Sequence, residues 1–98
     1  MGVGPDLEEN SVLHLRPHVT VQEFGGSDGG VILNLRTGEM YSVNETGVAF
    51  LQKLGNQNSV AAIADQLVET FDVSRDVLIA DLIELGGQLL AEDLLSVG

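Results

Sequence analysis

The sequence predicts an α+β domain, a three-stranded antiparallel sheet followed by three α-helices, and three observations carry that reading. The β-rich run Val31-Ile32-Leu33-Asn34-Leu35 meets Arg36-Thr37-Gly38, whose glycine supplies the positive φ that a short hairpin loop requires. At Asn44 the spacing of apolar residues changes from a period of two to one of 3.6. Beyond that point each apolar stripe begins just after a residue able to cap a helix, namely Asn44, Ser59 and Ser74.

Taken in order, residues 1–11 carry neither a basic segment nor an apolar stretch of the kind a signal peptide has, and they are expected to form a flexible tail ahead of one domain spanning 12–98. Pro17 keeps Val12 to His18 extended, and Val19 to Phe24 reads as the first strand. The loop Gly25 to Gly30, with Asp28-Gly29 as its turn signal, is expected to be a mobile connection that is dispensable for binding, so that shortening it to Asn-Gly leaves peptide affinity within about threefold. The second strand starts at Val31, and Glu39 to Val43 folds back as the third. Should the third strand lie at the sheet edge, its outer N–H and C=O groups must be covered or must recruit another chain.

The first helix, Glu45 to Leu54, places Val48, Leu51 and Leu54 on one stripe with Phe50 beside it, and Gly55 to Asn58 ends it. In the second, Val60, Ile63, Ala64, Leu67, Val68 and Phe71 recur at helical spacing. The third follows Ser74, with Asp76 near the positive end of its dipole. It carries two stripes: Leu78, Leu82, Leu85 and Leu89, and beside them Ile79, Ile83, Gly86 and Leu90. One stripe suffices to pack a helix on a small core, so the second either widens that contact or lines an exposed groove. Gly86-Gly87 costs about 1 kcal/mol per glycine in a helix interior, which marks either an end or kink of the helix or a close approach to its backbone.

Net charge is −11, from 15 acidic residues against Arg16, Arg36, Lys53 and Arg75. Affinity for nucleic acid comes from cations that neutralise phosphates, so this chain is repelled from DNA, and a charged partner is expected to be cationic. The acids of the last two helices form a solvated face or, more sharply, Asp76, Asp81 and Glu84 form a rim that attracts a basic peptide. No apolar run approaches the roughly 18 to 20 residues that span a bilayer, and the absence of cysteine suits a reducing cytoplasm. His14 and His18 are separated by Pro17 from any shared helical face, the glycine loop lacks the Lys-Ser/Thr of a phosphate cradle, and no nucleophile sits beside a base. Neither a metal, nor a cofactor, nor catalysis is expected.

Three strands and three helices in this order make a winged helix-turn-helix-like layout. A DNA-binding regulator with that layout would need base-reading side chains on its third helix, which offers only Arg75 and Gln88 among acids and leucines. The run from Leu33 to Gly47, with its Thr37-Gly38-x-x-Tyr41-x-x-Asn44-x-x-Gly47 string, and the spacing to Leu94-Leu95 instead resemble the PqqD-like family, the peptide-recognition domains of ribosomally synthesised natural-product pathways. The chain is most similar to the stand-alone members serving lasso-peptide biosynthesis.

The resemblance implies a non-catalytic module whose partners are the precursor's leader peptide and the pathway's leader peptidase and macrocyclase. It implies that the leader adds as a strand beside Glu39, Met40, Tyr41, Ser42 and Val43 and lies against the third-helix face of Ile79, Ile83, Gly86 and Leu90, with Asp76 at the rim. On that reading Ile83→Asp or Ile79→Asp abolishes leader binding and leaves the fold largely intact, since the leucine stripe already anchors the helix.

Overall fold

A computed structural model describes residues 7–25, 28–54 and 57–97. The strands are β1 (Leu13–Leu15), β2 (Val19–Glu23), β3 (Gly30–Asn34), β4 (Met40–Val43) and β5 (Leu95–Val97), and the helices are α1 (Glu45–Gln52), α2 (Val60–Leu67) and α3 (Arg75–Ala91). The expected three-stranded meander is β2-β3-β4, antiparallel throughout, with Val19 opposite Asn34 and Ile32 opposite Tyr41. The turn between β3 and β4 is a four-residue loop. Gly38 takes φ 83° there, its N–H donates to the Asn34 carbonyl at 2.7 Å, and the Asn34 N–H donates to the Glu39 carbonyl at 2.9 Å. The buried Asn34 side chain completes the turn by accepting from the backbone N–H groups of Arg36 and Thr37.

Each anticipated cap is in place. Asn44 accepts from the Gly47 N–H, Ser59 from that of Ala62 and Ser74 from that of Val77, which satisfies donors that a helix start otherwise leaves free. The helix ends depart from the periodicity. α1 stops at Gln52, two residues short of the expected Leu54, and α2 stops at Leu67, so Phe71 sits past its end, half-buried against the core. α3 runs unbroken through Gly86-Gly87 to Ala91. The core gathers Leu13, Ile32, Phe50, Ile63, Leu78, Leu82 and Leu94, drawn from strands and helices alike. No helix among the described residues is long and apolar enough to cross a membrane.

Two findings correct the sequence reading. The first concerns the ends of the chain: β1 and β5 pair antiparallel, Leu13 opposite Val97 and Leu15 opposite Leu95, in a second small sheet. From residue 7 onward the expected tail is also docked. The Glu9 carbonyl accepts from the Ala61 N–H at 2.7 Å and the Ser11 carbonyl from the Val60 N–H at 3.0 Å, so this segment supplies acceptors to the opening turn of α2, while Leu7 packs on the core. Residues 1–6 of that tail lie outside the described residues.

The second correction concerns the glycine loop, of which residues 26 and 27 lie outside the described residues. Its downstream end is more than a connection. Gly29 has φ 75°, and a Cβ there runs into the Val43 carbonyl; one at Gly30 runs into the Gln22 carbonyl and meets Val48. These two residues let β2, β4 and the start of α1 close together, which only glycine allows. We therefore expect Gly29→Ala to cost about 2 kcal/mol and to lower the melting temperature by about 10 °C, read by thermal unfolding. An unchanged melting temperature would show that the loop can relax around a side chain.

Candidate functional site

β4 is the outer strand of its sheet, and no described residue pairs with its far side. Which backbone groups face outward follows from the ladder. The Asn34 N–H bonds the Glu39 carbonyl, so the hydrogen-bonded pairs alternate as Asn34 with Glu39, Ile32 with Tyr41 and Gly30 with Val43. Tyr41 and Val43 thus spend their N–H and C=O groups on β3, whereas Met40 and Ser42 direct theirs away from the sheet. Side chains alternate in the same register: Tyr41 and Val43 are half-buried, while Met40 and Ser42 are exposed, Met40 to 65%.

Between β4 and α3 runs an open groove made of two adjoining hollows of about 710 and 440 Å³ that share Ser42, Val43, Leu85 and Gln88. The larger lies toward the start of α3, with Leu78, Leu82, Asp81 and Glu84 along it. The smaller lies toward the helix end, between Tyr41 and the residues Leu85, Leu89 and Glu92. β4 and α3 therefore run in opposite senses, with an apolar floor and acidic ends. Gly47 lets α1 press close to this floor, since a Cβ there would stand 3.3 Å from Leu85 Cδ2 and 3.4 Å from Val43 Cβ.

At the helix-end hollow the Tyr41 hydroxyl reaches Glu39 Oε1 at 3.3 Å and Glu92 Oε1 at 3.4 Å, joining β4 to the end of α3. Its pKa is raised, first because the phenol is partly withdrawn from water and then because both carboxylates oppose a phenolate. Tyr41 stays a neutral donor beyond the ordinary tyrosine range.

The structure sorts the residues expected at the site into two sets. Tyr41, Ser42 and Val43 line the groove, Glu39 borders it through Tyr41, and Met40 offers its backbone at the edge while its side chain turns to the opposite face. The expected α3 face is not there. Ile79 is buried in the core, Gly86 packs under Leu7 and Leu13, and Ile83 and Leu90 rest half-buried against the core; none of the four lines the groove. Asp76 is exposed in the first turn of α3, also outside it. The reason is physical: Leu7 and Leu13, read as tail and lead-in, close over the stripe at Gly86, and Ile79, Ile83 and Leu90 pack in or against the same core cluster. The groove side of α3 belongs instead to Leu85, Gln88 and Leu89, with Asp81, Glu84 and Glu92 at the margins. Leu7 and Leu13 were the available signal, two apolar residues upstream that required a helix face to cover them.

The same arrangement does not support the DNA-binding alternative. Arg75, the cation of α3, is held by Asp65 at 2.5 Å and lies 3.9 Å from Glu9, which leaves Asp76, Asp81 and Glu84 as exposed charges of that helix. A helix presenting those acids is repelled from a phosphate backbone.

Comparison with known proteins agrees with this fold. The family model of the coenzyme PQQ synthesis protein D, PqqD, matches residues 29–95. Among solved structures the chain is similar to lasso peptide synthetase B1 complexed with the leader peptide, at 27% identity and a TM-score of 0.71, covering 86% of this chain and 96% of that one. It shares its fold with the PqqD truncation of Methylobacterium extorquens PqqCD, a stand-alone recognition element for ribosomally synthesised and post-translationally modified peptides. That likeness has 21% identity and a TM-score of 0.78, covering 93% of this chain and 95% of that one. No curated protein matches the chain in sequence. Because the family model spans more than half of the chain, including β3, all three helices and the β4 and α3 that frame the groove, the chain belongs to the PqqD family.

Proposed function

We propose that the protein is a non-catalytic recognition module that captures the leader peptide of a ribosomally synthesised precursor by β-strand addition along β4 and delivers it to processing enzymes. The observation that carries this is the free outer edge of Met40 and Ser42 bordering a groove with an apolar floor. Backbone bonds to those two residues give affinity without regard to sequence, and selectivity comes from the leader side chains that turn toward Leu85 and Leu89. A four-residue edge extends roughly 13 Å, so about four leader residues pair along it. Once the ordering of a disordered peptide is subtracted, the affinity expected is micromolar, about −8 kcal/mol. The likeness to a lasso peptide synthetase bound to its leader supports a lasso precursor as the cargo, and a leader peptidase and a macrocyclase are the recipients this reading proposes.

Ser42→Pro tests the edge directly. Proline removes the outward N–H of Ser42 and leaves the β3 ladder its bonds, since that N–H takes no part in it. Titration with labelled lasso leader peptides is expected to show about tenfold weaker binding, near 1.4 kcal/mol, with the melting temperature within about 5 °C of the parent. Unchanged affinity in the folded variant would rule out strand addition at this edge.

A further inference from the structure

From the charges around the groove we infer that the cognate peptide is dibasic: an apolar centre flanked by two Lys or Arg residues four or six positions apart. This rests on the reading of β4 as a strand-addition edge and names what that edge selects. No Lys, Arg or His lines either hollow among the described residues, whereas each end carries carboxylates: Asp81 and Glu84 toward the start of α3, and Glu92 toward its end. None of these has a cation. The salt bridges among described residues are Arg16 with Asp93 and Arg75 with Glu9 and Asp65, all away from the groove. At the helix-end hollow, moreover, a single Tyr41 hydroxyl faces both Glu39 and Glu92, and its one hydrogen can satisfy only one of them at full strength. Glu39 also accepts from the Thr37 hydroxyl at 3.2 Å, so both carboxylates have only neutral hydroxyl donors, and beside an open peptide edge they form a receptor for a cationic head, with the ring of Tyr41 ready to pack along its stem.

The spacing follows from the two elements. Asp81 on α3 and Glu92, its C-cap, lie eleven residues apart, about 16 Å at 1.5 Å per residue. An extended peptide covers that distance in about five residues at 3.3 Å each. Side chains that turn to the same face of a strand are separated by an even number, which selects four or six. The apolar positions between them meet Leu85 and Leu89.

The test is selection of a displayed library of random 12-residue peptides on the folded full chain, followed by titration of synthetic winners. Winners with two Lys or Arg at that spacing, whose replacement by Gln weakens binding about tenfold at 50 mM NaCl and much less at 500 mM, bear out the inference. Asp81→Lys combined with Glu92→Lys, both at exposed positions, is expected to shift the preference to peptides carrying Asp or Glu. Winners that bind without cations, or that lose less than twofold on the Gln exchange, overturn the dibasic specificity and leave strand addition standing. If N-methylation of alternate central amides of a winner leaves its affinity unchanged, or if no peptide is selected, strand addition itself fails and the specificity falls with it.

Discussion

Ile79→Asp is expected to unfold the domain instead of merely unloading a peptide. Ile79 is 8% exposed and belongs to the cluster built on Leu78, Leu82 and Ile63. Aspartate there loses the burial of a large aliphatic side chain and places a carboxylate among apolar neighbours, with the nearby Arg75 already held by Asp65. Together these effects cost about 4 kcal/mol or more, which lowers the melting temperature of a domain this size by roughly 20 °C. Ile79→Val, which keeps the shape and removes one methylene, is expected to cost only about 1 kcal/mol. Thermal unfolding of the two variants side by side decides the matter. A melting temperature preserved in Ile79→Asp, with binding lost, would place the ligand on that face of α3 and away from the β4 groove.

That expectation reverses the one drawn from sequence, and the reversal shows which parts of the fold the sequence displays. Gly38, Asn44, Ser59 and Ser74 act within four residues of themselves, so a hairpin and three capped helices are legible in order and nearly in extent. The free edge was likewise legible, because nothing after the third strand has strand character until the chain end. What sequence does not display is which flank of α3 is covered, since that depends on partners far away along the chain. β1 and β5 are three residues each, too short to show alternation, and about eighty residues separate them. Gly86 illustrates the limit well. Of the two readings, a helix end or kink and a close approach to the backbone, the second holds, but Leu7 and Leu13 of the same chain make the approach. Two leucine-and-isoleucine stripes on one helix are chemically alike, so only contacts from far along the chain, such as those of Leu7 and Leu13 at Gly86, distinguish the core flank from the open one.

Leu85 is where the open flank is put to use, and Leu85→Asn is expected to weaken leader binding about thirtyfold to a hundredfold while leaving a folded domain. Leu85 borders both hollows and is half-buried, unlike Leu78, Leu82 and Leu89 of its own stripe, which are buried. A peptide on the β4 edge completes its burial, and apolar anchoring of this kind is worth roughly 1.5 to 3 kcal/mol. Asparagine has nearly the same length, cannot contribute that term, and leaves an amide to be desolvated beneath the peptide. It also leaves the charge of the groove unchanged, so the loss is separable from the attraction of Asp81, Glu84 and Glu92 for cations. The stability cost is smaller, about 1 kcal/mol or 5 °C, because the side chain already meets solvent in the free protein. Paired thermal unfolding and titration on the same preparation give the ratio that matters. If Leu85→Asn binds within threefold of the parent, the groove floor plays no part in recognition, and backbone pairing at Met40 and Ser42 must account for the whole affinity.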